Sequence, residues 1–204
     1  MPRGLDVCIA CLLARRWLVG LLLAGLFIAL LVGVAQAKQV LPLSELAKPG
    51  RVLMLRHANA PGTGDPPGFR IEDCATQRNL DAAGREQATA LGRQLAQSGT
   101  VRARVYSSQW CRCLETAHLL GLGAVEALPA LNSFYATPQE SASRMARLRD
   151  FLARLPPDGA PVILVTHQFT IAEITGAGTP SGGGSVFQLN GTGSPRHLGN
   201  INPE

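Results

Sequence analysis

The sequence predicts an α/β domain, three layers deep, with helices covering both faces of a mostly parallel central sheet. Two short apolar runs, Val52–Leu55 and Val162–Val165, have the length and the Val/Ile/Leu character of strands buried on both faces. Amphipathic helical stretches lie between them, as parallel strands require for their crossovers. The chain has 204 residues, 46% of them apolar, which is enough for one domain with a sizeable core and too little for two domains and a leader.

Residues 1–37 read as a signal peptide or an N-terminal membrane anchor. Arg3, Arg15 and Arg16 precede an apolar run from Trp17 to Ala35, and Ala35-Gln36-Ala37 supplies the small-x-small pattern of a cleavage site. The run is longer than an ordinary signal core and close to a membrane span, so both outcomes stay open. Either one places the remainder outside the cytoplasm, in the periplasm or an equivalent exported location, touching a membrane only through this segment. Residues 38–50 form a lead-in in which Leu41, Leu43 and Leu46 face the domain edge, and residues 51–204 form the domain itself.

Within the domain, Val52–Leu55 ends in Arg56-His57, followed by a Pro/Gly/Asp-rich loop from Asn59 to Cys74. Asp81 is a good N-cap for a helix in which Ala88, Leu91 and Leu95 recur at helical spacing up to Ser98-Gly99. A strand over Ala103–Tyr106 leads to a helix over Gln109–Leu120, and a third strand is expected over Ala124–Leu128. Ser141–Leu155 reads as a helix with Met145, Leu148, Phe151, Leu152 and Leu155 inward and Arg144, Arg147, Arg149 and Arg154 towards solvent. Val162–Val165 ends in Thr166-His167, a short helix runs on through Ile174, and Ser185–Leu189 is expected as an edge strand. Gly182-Gly183-Gly184 reads as a turn, because no helix follows it to make a phosphate loop.

The two buried strands therefore present His57 and His167 at the carboxyl edge of one sheet, where open α/β sheets bind ligands. Arg112, in the first turns of the helix after the second strand, comes to the same edge, and Arg78 precedes the first helix. Four donor groups converging on one rim point to an anion. The charge balance is mild: three arginines and one aspartate fall in the leader, leaving 16 basic and 13 acidic residues. No basic run or aromatic-interleaved stripe suggests nucleic acid as a partner. His118 and His197 read as structural or solvated, and Asn190-Gly191-Thr192 matches a glycosylation acceptor only formally in a chain with a bacterial-type leader.

With these residues in place, the sequence resembles the histidine phosphatase superfamily, in the branch of the phosphoglycerate mutases and small phosphohistidine phosphatases. Arg56-His57-Ala58 matches the R-H-G/A signature, and Arg78-Asn79-Leu80-Asp81-Ala82-Ala83-Gly84-Arg85-Glu86-Gln87-Ala88 matches the block R-x-L-[TD]-x-x-G-x-x-Q-A. Ser108 to Ala117 follows S-P-L-x-R-A-x-E-T-A except at the Pro, Leu and Ala positions, and Val162 to His167 is the late strand ending in T/S-H. The resemblance implies a phosphoglycerate mutase-like fold and hydrolysis of a small phosphorylated substrate through a phosphohistidine on His57. Arg56, Arg78 and Arg112 would hold the phosphate with His167 as a further donor, and no cofactor or metal is implied. Relatives that cleave alkyl phosphates carry a Glu in the loop after the third strand, whereas Leu131 to Tyr135 holds no carboxylate. Asp65, Glu72 and Asp73 are the candidate proton donors; if none serves, phosphohistidine or anhydride substrates, or a silent phospho-ligand-binding module, become the alternatives. An envelope address points to phosphorylated sugars. In an oxidising compartment Cys74 can pair with Cys111 or Cys113, leaving one thiol over, and a cysteine–histidine metal cluster has poor ligand spacing.

Overall fold

A six-stranded sheet in the order β3-β2-β4-β1-β5-β6 organises the domain. The structure is a computed structural model that describes residues 40–202. The leader expected over residues 1–37, with Cys8 and Cys11, lies outside the described residues. In chain order the elements are β1 (Arg51–Arg56), α1 (Ala82–Gln97), β2 (Arg104–Ser107), α2 (Cys111–Leu120), β3 (Val125–Ala127), α3 (Ser141–Ala153), β4 (Val162–Thr166), α4 (Gln168–Thr175), β5 (Gly184–Gln188) and β6 (Arg196–Ile201).

β3, β2, β4 and β1 are mutually parallel, while β5 runs antiparallel to β1 and β6 antiparallel to β5. The register between β1 and β4 runs from Val52 opposite Val162 to Arg56 opposite Thr166. His57 and His167 consequently leave the sheet side by side, and the His57 amide donates to the Thr166 carbonyl at 3.0 Å.

Alternation along the strands builds two cores, one on each face of the sheet. Leu53, Leu55, Val105, Ile163 and Val165 pack with Leu91 and Leu95 of α1 and Ala117 and Leu120 of α2. Val52, Met54, Tyr106, Val162 and Leu164 pack with Met145, Leu148 and Leu152 of α3 and Ile171 of α4. These are the three layers the sequence predicts. On the first face α1 and α2 approach so closely that a Cβ on Gly92 would lie 2.1 Å from the Leu120 carbonyl oxygen.

Two expectations fail at the C-terminal end. Ser185–Leu189 is expected at an edge, yet β5 is an interior strand, paired to β1 on one side and β6 on the other. β6 itself is not expected at all: Arg196 to Ile201 lacks an apolar alternation, contains Gly199, and buries only Gly199 and Ile201. Its strand state comes from the β5 edge, which would otherwise leave its backbone unpaired. His197, read as structural or solvated, belongs to β6, with its ring centroid 5.1 Å from that of Phe187. A third correction concerns α3. Arg147, Arg149 and Arg154 are exposed as expected, but Arg144 is mostly buried and turns to the pocket described next.

Candidate active site

At the carboxyl edge of β1, β2 and β4 lies a pocket of about 540 Å³ whose lining includes Arg56, His57, Arg78, Arg112 and His167. The structure thus brings together the four donor groups that the sequence placed on this rim, with Arg56 beside them.

His57 is held from behind. Its ring Nδ1 lies 2.8 Å from the Ala58 carbonyl oxygen, an atom that only accepts, so Nδ1 carries the proton and Nε2 keeps its lone pair. Ala58 is itself fixed, because its amide donates to Thr116 Oγ1 at 3.0 Å, and that hydroxyl donates to the Arg112 carbonyl at 2.7 Å. The Thr of the third sequence block therefore positions the imidazole through one residue. The His57 carbonyl accepts from Gly182, and Gly183 accepts from the Arg56 amide, so the glycine turn closes the other side. Burial pushes the His57 pKa down to about 3, with the Arg112, Arg78 and Arg56 charges acting in the same direction. The ring is a neutral base with a free nitrogen over the whole physiological range.

The second block explains itself in the same way. Asp81 caps α1 through the Gly84 amide at 2.7 Å and accepts from the Asn59 side chain at 3.0 Å. Gln87 accepts from the Asn59 amide and donates to the Ser181 carbonyl. At Gly84 a Cβ would stand 2.0 Å from the Asn59 carbonyl oxygen, so only glycine lets the loop after His57 lie against the helix start.

Three arginines surround the imidazoles with different tethers. Arg56 donates to the Thr179 carbonyl at 2.8 Å. Arg78 donates through Nε to Gly64 at 2.8 Å and through Nη1 to Ala60, so it also pins the pocket loop. Arg112 is 4% exposed and forms a two-pronged pair with Asp65, at 2.8 and 3.2 Å. Burial and the neighbouring Arg112 charge lower the pKa of Arg56 and of Arg78, a sign of like charges crowded together. The buried Nε atoms of Arg56 and Arg112 have no hydrogen-bond partner. Buried donors of this kind are rare and costly unless an acceptor meets them, and both belong to residues that line the pocket.

His167 is fully buried beside His57, with ring centroids 5.6 Å apart. Its Nε2 lies 2.9 Å from Ser108 Oγ and 3.5 Å from Cys113 Sγ. Ser108 is in turn bonded to Asn132 Oδ1, which also accepts the Gln109 amide. Burial, then the arginines and His57, lowers the His167 pKa well below its ordinary value.

The candidate proton donors fare differently. Burial would raise the Asp65 pKa, but Arg112, the Arg78 amide and the Trp110 indole at 2.9 Å outweigh it and lower it. Asp65 is the ionised anchor of Arg112, not a proton store. Glu72 is 71% exposed, and Asp73 caps the short turn Cys74–Thr76 while pairing with Arg70; neither lines the pocket. The carboxylate that does line it beside Asp65 is Glu140, paired with Arg144 at 2.5 Å. Sequence reasoning missed both, because it looked for a carboxylate before Tyr135 and read Arg144 as solvated.

Of the two pairings open to Cys74, the one formed is with Cys111, leaving Cys113 as a buried thiol. The disulfide ties the pocket loop to the first residue of α2. Burial pushes the Cys113 pKa up to about 12, so it remains protonated beside His167. Among the described residues, no group of three or more His, Cys, Asp and Glu side chains is placed to hold a metal ion.

Residues 52–134 match the model of the histidine phosphatase superfamily (branch 1). The fold is that of the histidine phosphatases. The structure of the protein histidine phosphatase SixA complexed with tungstate is similar, with a TM-score of 0.50 and 19% identity, over 75% of this chain and 97% of that one. Mycobacterial glucosyl-3-phosphoglycerate phosphatase is similar with a TM-score of 0.54 and 19% identity, over 75% and 98% of the two chains. No curated protein sequence matches. In this chain Arg56-His57 ends β1, Thr166-His167 ends β4, and the segment Arg112 to Thr116 opens α2, which is why distant blocks meet at one edge.

Proposed function

We propose that this domain is an exported phosphatase that hydrolyses phosphate monoesters through a phosphohistidine on His57, without a metal ion. The observation that carries the reading is the His57 ring, locked by Ala58 so that Nε2 presents a lone pair within a ring of arginines. Nε2 attacks phosphorus in line and the bond to the leaving-group oxygen breaks; water then attacks phosphorus, the P–N bond breaks, and phosphate departs. Arg56, Arg78 and Arg112 offset the charge of about −1.5 to −2 on the phosphoryl group, and His167 stands beside the nucleophile.

Protonation of the leaving group is the weak step of this arrangement. Asp65 is committed to Arg112 and Glu140 to Arg144, so leaving groups that depart with little help from an acid are favoured. With residues 1–37 as an export or anchoring segment, the domain meets its substrates in the cell envelope. The test is hydrolysis of para-nitrophenyl phosphate by the purified domain in excess chelator. Turnover that survives the chelator and disappears in His57→Asn supports the proposal. Turnover abolished by the chelator, or retained in His57→Asn, overturns it.

A further inference from the structure

Aromatic residues make up 5% of the chain, two Trp, two Tyr and six Phe, yet four of these ten line the pocket: Phe69, Trp110, Tyr135 and Phe169. Trp110 and Phe69 are packed side chains, with Trp110 fixed by Asp65 and Phe69 against its ring at 5.6 Å. Tyr135 and Phe169 are not. They are 50% and 45% exposed, and of the large apolar side chains that are exposed among the described residues the other two are Val40 and Val101, neither of which lines the pocket. Their rings stack with centroids 5.1 Å apart and 29° between planes. The pair brings two segments together at the pocket, since Phe169 follows His167 by two residues and Tyr135 stands close enough to Gly64 for a Cβ there to touch its ring at 3.6 Å.

A phosphoryl group fills a small part of 540 Å³, so most of the cavity serves the rest of the substrate. An exposed stacked pair at that position is a surface that a planar ring completes, because aromatic rings prefer offset-stacked or edge contacts and gain from leaving water. The chemistry of the inner pocket selects in the same direction. With both carboxylates that line the pocket paired to arginines, the site favours leaving groups of modest pKa, and a phenol ionises far more readily than an alkyl alcohol.

We infer that Tyr135 and Phe169 form a leaving-group subsite for an aromatic ring, and that the substrate class is aryl phosphate monoesters, phosphotyrosine among them. The envelope address by itself points to sugar phosphates, which offer neither a planar π face nor a good leaving group. The inference rests on the phosphatase reading for its chemistry, but its test does not need turnover. Phenylphosphonate, methylphosphonate and glucose 6-phosphate are titrated calorimetrically into the wild-type domain, into Tyr135→Ala and Phe169→Ala, and, for the hydrolysable ester, into His57→Asn. The expected result is that phenylphosphonate binds at least about tenfold tighter than methylphosphonate and that this ratio falls several-fold in each alanine variant, while Tyr135→Phe retains it. Affinity for methylphosphonate reports that the arginine cup is still folded in every variant. Equal affinities for the two phosphonates, a ratio untouched by the alanine variants, or tighter binding of glucose 6-phosphate than of phenylphosphonate overturns the subsite. Loss of turnover with the phenyl preference intact overturns only the phosphatase reading.

Discussion

Replacing Asp65 by Asn separates two roles that look alike in the sequence. The carboxylate receives both prongs of Arg112 at 2.8 and 3.2 Å, the Arg78 amide at 3.1 Å and the Trp110 indole at 2.9 Å. Both partners are nearly closed to water, with side-chain exposures of 4% for Arg112 and 8% for Asp65. An amide keeps the size and one acceptor but turns an N–H towards the guanidinium and removes the negative charge paired with it. Leaving one member of a buried ion pair uncompensated costs about 3–5 kcal/mol. For a domain of this size that corresponds to a fall in Tm of roughly 6–20 °C. Vanadate, which supplies a replacement anion, restores part of the loss. The decisive assay is kcat/KM for a series of aryl phosphates of rising leaving-group pKa. As the anchor of Arg112, Asp65 is needed equally for every member, so the Asn variant loses about the same factor across the series. If the loss instead grows steeply with leaving-group pKa while Tm barely moves, Asp65 is the proton donor and the assignment made from its contacts is wrong.

Other expectations follow from the same contacts. Thr116→Val removes the acceptor for the Ala58 amide and so loosens the carbonyl that orients His57. We expect kcat to fall about tenfold with KM little changed and stability lower by roughly 1–3 kcal/mol, measured by steady-state kinetics and urea unfolding. Gly84→Ala forces its Cβ against the Asn59 carbonyl at 2.0 Å; a loss of about 1–3 kcal/mol and faster amide exchange in the loop after His57 are expected. Reducing the Cys74–Cys111 bond, which closes a sequence separation of 37, should cost about 2–4 kcal/mol in denaturant midpoint analysis. Acid should destabilise the domain well above the carboxylate range. The unfolded chain protonates His57 below about pH 6.5, whereas the folded chain does so only near 3. The stability due to the neutral ring is therefore complete above about pH 6.5 and drains as pH falls towards 3, by at most about 1.4 kcal/mol per pH unit for each such histidine. His167 acts in the same direction, and His57→Asn should flatten the slope seen by thermal melts across this window.

The sheet edge and its four converging donors are legible in the sequence because local rules decide them. Val52–Leu55 and Val162–Val165 are continuous apolar runs of strand length, the second rich in β-branched residues, and the two residues after each are fixed in place by chain continuity. Arg78 and Arg112 are readable from the neighbouring helix starts. Asp65 is not, because its role is set by Arg112, 47 residues away, and a loop Asp in a Pro/Gly-rich stretch looks the same whether it faces water or a guanidinium. Arg144 is misread for a similar reason: α3 shows a clear apolar stripe, but the pocket wall meets the helix at the stripe's edge, where periodicity does not distinguish solvent from cavity. β6 is invisible for a third reason. Its strand state derives from the unpaired edge of β5, not from its own side chains.

The central claim is tested most directly by mixing the domain with a radiolabelled aryl phosphate, quenching in base within a turnover, and locating the trapped label by mass spectrometry and 31P NMR. The account predicts close to one base-stable, acid-labile phosphoryl group per chain, on Nε2 of His57, and none in His57→Asn. Label on His167 or any other residue, or full turnover with no phosphorylated enzyme at any time point, contradicts it.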